Sequence, residues 1–201
     1  RPDRSTGPDA EVYLVKRSPE LRFLGGFHAF AGGGIEEDID TIAAKVLETS
    51  AWVSAALREL FEELGILVTE ERHDPVSLVE ARRSLLEDQS YWHTIIDTFT
   101  VTAKPFENIE IGHWITPPFS PIFFDAAYFV LELPENHGEP DIWTGELVDG
   151  AWWTVNDALE AHERGALSIS YPVLETLRIL GESAHLDQAR TNLSLLLERA
   201  Y

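Results

Sequence analysis

The chain contains neither cysteine nor methionine. Without cysteine there can be no disulfide, no thiol nucleophile and no thiolate metal site. Methionine is missing even at residue 1, which fits a trimmed start or the omission of modified methionines; under the second, some spacings run short by one. Basic residues are scarce: 15 Lys and Arg stand against 35 Asp and Glu, for a net charge of −20. That balance argues against nonspecific binding to nucleic acid or to anionic membranes. No apolar run approaches the ~20 residues of a membrane span, and the first residues are polar, so no signal peptide is visible. A cytoplasmic protein is the default expectation.

What is present is ample for a core. The 201 residues are 44% hydrophobic and 10% aromatic, enough for one globular domain (10–201) with insertions and a tail. One stretch organises the rest: Leu57-Arg58-Glu59-Leu60-Phe61-Glu62-Glu63-Leu64-Gly65-Ile66. Leu57, Leu60, Phe61 and Leu64 recur at helical steps and form an apolar stripe. Glu59, Glu62 and Glu63 fall at i, i+3 and i+4 and converge on the opposite side. Gly65 supplies a left-handed helix end, with Ile66 placed to pack on Phe61 in a Schellman cap. Three carboxylates in a last turn sit against the negative end of the helix dipole, which favours cations. The plain reading is a solvated acidic face; the sharper one is an oxygen site for Mg²⁺ or Mn²⁺.

Arg-Glu-Leu-Phe-Glu-Glu-Leu-Gly-Ile resembles the R-E-U-x-E-E-x-G-U half of the Nudix box, where U is aliphatic. The resemblance implies an α/β (α+β in some schemes) Nudix α-β-α sandwich with a mixed sheet, and metal-dependent hydrolysis. It assigns Glu59, Glu62 and Glu63 to the metal. The other half-box, G-x5-E-x7, departs from its spacing. Position 39 is Ile39 rather than glutamate, and Arg58 lies 25 residues beyond Gly33 (58 − 33) instead of 14. An insertion of about eleven residues within 40–52, holding a short helix around Ile42, Val46 and Leu47, accounts for the gap. Glu36, Glu37, Asp38 or Asp40 stands in for the missing acid. Ser50 reads as the N-cap of the helix that follows.

Upstream, 10–17 reads as a strand, and two glycine clusters, Gly25-Gly26 and Gly32-Gly33-Gly34, permit close backbone approach to a phosphate. Arg17-Ser18, Arg22, Gly26, Phe30 and Gly32-Gly33 resemble the R-S-x3-R-x3-G-x3-F-P-G-G pattern of Nudix coenzyme A diphosphatases, with Ala31 in place of proline. Arg17 and Arg22 are then phosphate ligands, for which a forked guanidinium suits, or else ordinary surface arginines. Further along come Leu67-Val68 as a short strand and a helix over 75–86 with Val76, Val79 and Leu86 on one side and Arg82-Arg83 exposed. The segment 91–102 is ambiguous between helix and strand. With Trp114-Ile115-Thr116-Pro117 and the buried strand that starts Phe123-Phe124-Asp125, the order is similar to the peroxisomal-type coenzyme A diphosphatases and their bacterial relatives. Ile122 stands where those proteins carry arginine, and the Glu-Arg-Ala-Tyr ending is no peroxisomal signal. An insertion at about 72–120 and a C-terminal helix at about 184–200 complete the plan.

Residues 136–150 read as an acidic loop, followed by a strand at 152–155 and a helix capped by Asn156. Trp152 and Trp153 read as core or pocket wall. Glu146 matches a loop glutamate that in Nudix domains sometimes reaches the metal cluster; the alternative is an exposed loop acid. Helices are expected over 171–180 and 186–199, the latter covering the core or mediating a homodimer. The resemblance implies a small-molecule nucleotide substrate, Glu59 or Glu146 as general base, and Arg58 bracing the loop or a nearby acid. Three readings follow: a coenzyme A diphosphatase, a diphosphatase for ADP-ribose or NAD(H), and a non-catalytic Nudix-fold binding module.

Overall fold

The computed structural model describes residues 6–104, 110–115, 125–131, 138–143 and 145–199. In chain order its elements are β1 (Glu11–Arg17), β2 (His28–Ala29), α1 (Glu37–Val46), α2 (Ala51–Leu64), α3 (Pro75–Glu87) and α4 (Trp92–Phe99). There follow β3 (Glu110–Ile115), β4 (Asp125–Phe129), β5 (Leu147–Thr154), α5 (Val155–Glu163), α6 (Tyr171–Glu182) and α7 (Leu186–Arg199). Thr116-Pro117, Ile122 and Phe123-Phe124, which carried part of the sequence argument, lie outside the described residues. The chain divides into two compact units.

The first unit holds all the strands except the start of β5, together with α5, α6 and α7. A three-stranded sheet runs β2-β1-β5, and β3 pairs with β4 in a separate antiparallel ladder. Its core is formed by Leu14 of β1, Val155, Ala158 and Ala161 of α5, Val173, Leu177 and Leu180 of α6, and Ala189 of α7. Burying such aliphatic side chains contributes roughly 1.5–3 kcal/mol each. β5 begins at Leu147, inside the stretch expected to be loop. The cap of α5 is Thr154, whose hydroxyl accepts from the Asp157 N–H at 3.0 Å; Asn156 lies inside the helix instead. Trp153 packs on the core, while Trp152, 39% exposed, meets the Tyr13 ring edge-on.

The second unit holds α1 to α4 and the segment leading into β5. α2 begins at Ser50, whose hydroxyl accepts from the Val53 N–H at 3.3 Å. It ends at Gly65 in the left-handed region, φ 66°. The cap is a single bond from the Gly65 N–H to the Phe61 carbonyl, the αL motif rather than the expected Schellman pair. Leu57, Phe61 and Leu64 are buried as the periodicity requires, and Leu60 is half-buried.

The inserted helix α1 starts earlier than expected, at Glu37. Glu37, Asp38 and Asp40 occupy its first turn, where the dipole favours acids. Asp40 also reaches back to accept from the Glu36 N–H at 2.8 Å. The ambiguous 91–102 segment resolves into α4, ended by Thr100 at φ 51°. Leu67-Val68 is buried but outside any strand; the neighbouring Thr69 makes one bridge to Val101. α3 forms where expected but turns another face inward. Val76 and Val79 are 64% and 53% exposed, whereas Ala81, Arg82 and Leu85 are buried. Arg82 is therefore not a surface residue, because main-chain carbonyls rather than water receive its guanidinium.

Candidate active site

Arg58 is fully buried within α2. Its five N–H donors each find an oxygen. Nε and Nη2 grip the Asp40 carboxylate at 3.2 and 3.0 Å, and Nη2 also donates to the Gly34 carbonyl at 2.9 Å. Nη1 donates to Glu59 Oε1 at 2.9 Å and to Glu62 Oε2 at 3.1 Å. One guanidinium thus ties the inserted helix, the glycine loop and two of the three helix glutamates together. Of the four acids that could replace the missing box glutamate, Asp40 alone is buried and bound to Arg58. Ser54 Oγ completes its coordination at 3.1 Å, and the hydroxyl in turn accepts from the buried Trp92 indole at 3.3 Å.

The glycine loop closes on the same centre. The Gly32 N–H donates to Glu63 Oε2 at 2.8 Å, and Gly32 holds φ 149°, which favours glycine. A Cβ on Gly33 would overlap the Glu59 carboxyl group. Gly33→Ala is therefore expected to displace that carboxylate while leaving the fold intact, since the obstructed atoms end a flexible side chain. A displacement of about 1 Å costs up to ~10²-fold in rate. Steady-state kinetics beside a thermal melt will show it; an unchanged rate would mean Glu59 can work from elsewhere.

The cluster is electrically unbalanced. Asp40, Glu59 and Glu62 surround a single guanidinium. Burial would lower the Arg58 pKa, but the Asp40 hydrogen bonds and the charges of Glu59, Glu62 and Asp40 outweigh it and raise it. Burial pushes the Glu59 carboxyl up to about 7 against the opposing pull of Arg58, with the Glu62 charge adding to the rise. Glu62 is raised too, again by burial first. Its Oε1 is buried without a hydrogen bond of ordinary geometry, and Gln89 exerts only the weakest influence on this carboxylate.

The remaining sequence-derived candidates are placed differently. Glu146 is exposed in the turn before β5 and joins none of the hydrogen bonds described above. Arg17 and Arg22 belong to the first unit. Arg17 ends β1, exchanging backbone hydrogen bonds with Phe27 and Gly26, and its Nε is buried without a partner; Arg22 is exposed. The sequence reading missed Arg82, although the excess of acid in the last turn of α2 was itself a signal that a cation should be near.

Fold and site together define a mixed α and β protein with a buried acidic centre around Arg58. The NUDIX domain family matches residues 5–176, and the chain belongs to that family as a Nudix hydrolase. A NUDIX hydrolase from Alicyclobacillus acidocaldarius has a similar fold, with a TM-score of 0.74 and 24% identity over 92% of this chain and 89% of that one. No curated protein matches the sequence significantly. Among the described residues no helix is long and apolar enough to cross a membrane.

Nudix hydrolases generally use divalent metal ions. The residues present fit one: a buried and a half-buried carboxyl, both with raised pKa, and a local surplus of negative charge around a single guanidinium. Among the described residues no three acidic or histidine side chains are gathered into a ready cage. Glu59 and Glu62 turn to Arg58, and Glu63 turns to the Gly32 amide.

Proposed function

We propose that this protein hydrolyses the pyrophosphate bond of a nucleoside diphosphate linked to a second group. The substrate we favour is coenzyme A or an acyl-CoA, cut to (acyl-)phosphopantetheine and adenosine 3′,5′-bisphosphate. The reaction class rests on one observation, the buried surplus of carboxylate around Arg58 at the end of α2. Glu59, Glu62 and Glu63 hold Mg²⁺ or Mn²⁺. Such an ion neutralises pyrophosphate oxygens and lowers the pKa of an attacking water.

Arg58 orients Glu59 and Glu62 and braces the loop through Gly34, and Asp40 stands in for the absent box glutamate. Glu59, which Arg58 orients within the cluster, is one candidate for general base. Glu146 is the alternative. The family pattern makes Gly32, Gly33, Arg17 and Arg22 the candidates for contact with the substrate phosphates. Substrate that arrives complexed with the metal escapes repulsion by the −20 chain.

The choice of coenzyme A is supported by the Arg17-Ser18, Arg22, Gly26, Phe30 and Gly32-Gly33 pattern. Coenzyme A, an acyl-CoA, ADP-ribose and NADH, each incubated with Mg²⁺ or Mn²⁺ and resolved by chromatography, test it. The two coenzyme A substrates are expected to exceed the others by at least about tenfold in kcat/KM, the scale of one good discriminating contact. Preferred cleavage of ADP-ribose or NADH would change the substrate and keep the reaction. Failure to cleave any of the four would remove the assignment.

A further inference from the structure

The last turn of α2 is negative for two independent reasons. It carries Glu62 and Glu63, and it presents the unsatisfied carbonyls at the negative end of the helix dipole. Arg58 cannot serve those carbonyls, because its donors all face Asp40, Glu59, Glu62 and Gly34. Arg82 of α3 does. Its Nε and Nη2 donate to the Glu62 carbonyl at 3.0 and 2.9 Å, and Nη2 donates to the Glu63 carbonyl at 2.8 Å. Only 6% of the side chain is exposed.

The 141–143 segment finishes the cap. Asp141 accepts from Nη1 at 3.2 Å and donates its own N–H to the Leu64 carbonyl at 2.9 Å. The Trp143 N–H reaches the Glu63 carbonyl at 3.3 Å, and its ring lies 5.8 Å from the guanidinium carbon. The final three carbonyls of α2 are thus all engaged by Arg82 or by this segment. Gly65 makes room for the arrangement, since a Cβ there would stand 3.0 Å from Nη1.

A planar fork on consecutive carbonyls does more than neutralise charge: it fixes the orientation of the peptide units it grips. Those units belong to Glu62 and Glu63, so the fork also sets the directions in which their side chains leave the helix. We infer that Arg82 is a positioning residue for the acidic centre. It holds the last turn of α2 so that Glu62 and Glu63 present their carboxylates together, and it anchors there the chain that runs on to Glu146. The inference rests on the reading of Glu62 and Glu63 as ligands of a divalent cation. The hydrogen bonds of Arg82 go to main-chain carbonyls and to Asp141, none to a carboxylate of the centre.

Mn²⁺ binding to the full chain, followed by the paramagnetic resonance of free Mn²⁺, tests it on wild type, Arg82→Lys and Arg82→Ala, beside metal-free melting curves. Arg82→Lys keeps the charge and loses the fork. It is expected to fold and to bind Mn²⁺ about tenfold more weakly, as with other groups that orient metal ligands. Arg82→Ala is expected to bind more weakly still and to regain affinity when ethylguanidinium is added. A lysine variant that melts earlier yet binds Mn²⁺ like wild type would make Arg82 a structural cap alone and overturn the inference. Wild type that binds no Mn²⁺ would overturn the reading of the glutamates, and this inference with it.

Discussion

Replacing Arg58 by methionine is expected to destabilise the protein by about 3–5 kcal/mol, because it strands buried charge with no compensating cation. Asp40 and Arg58 are both wholly enclosed, and Glu62 is nearly so. Asp40 would keep the Ser54 hydroxyl and the Glu36 N–H but lose its two guanidinium contacts. Glu62 would lose its one described hydrogen bond to a charged donor. At this chain length such a loss lowers the melting temperature by roughly 10 °C. Arg58→Lys should fall between, since one ammonium cannot reach Asp40, Glu59, Glu62 and the Gly34 carbonyl together. Pairing Arg58→Met with Asp40→Leu should recover part of the loss, because the double variant removes one of the stranded charges. A single Arg58→Met variant melting within a degree or two of wild type would show that the cluster does not persist in solution.

Much of the fold could be read from local signals, and the failures share a cause. α2 was legible from end to end: an apolar stripe, a serine N-cap and a glycine stop each act within one turn, and all are found. β1, α6 and α7 likewise follow from short-range pattern. α3 was located, yet its buried face was misread. Apolar periodicity assumes that valines go inward, and here Val76 and Val79 point outward while Arg82 is drawn in by carbonyls twenty residues away in α2. Leu67-Val68 looked like a strand because it is apolar and buried, but strand character needs a continuous ladder, and here there is only an isolated bridge from Thr69 to Val101 beside one bond from the Thr102 N–H to the Val68 carbonyl.

The site divides in the same way. Helical spacing brings Glu59, Glu62 and Arg58 together, so their proximity was implicit in the sequence. Asp40 was only one acid among four, because its selection depends on a contact eighteen residues distant that burial alone decides. The other three acids share its stretch of sequence but remain exposed, and Glu37 and Asp38 sit in the first turn of α1, where the helix dipole already accounts for them. Arg17 and Arg22 were singled out by motif, and motif says nothing of the chain that must fold to place them.

Glu62→Gln and Glu63→Gln are each expected to cut kcat by about 10³-fold, which corresponds to roughly 4 kcal/mol of lost stabilisation of the reacting pyrophosphate. Both variants keep the fold. Glutamine retains a carbonyl oxygen to accept from Arg58 Nη1 at position 62, and one to accept from the Gly32 N–H at position 63. At position 62 the change even removes one negative charge from a cluster in which three carboxylates surround one guanidinium, so metal-free stability should hold or rise slightly. The two roles of these glutamates therefore separate. A structural role predicts a lower melting temperature with activity following it down. Cation binding predicts full stability, a steep loss of rate and a weaker response to added Mg²⁺ or Mn²⁺. Metal titrations of the activity beside melting curves distinguish them, and hydrolysis undiminished in both variants would move the reaction centre away from α2 altogether.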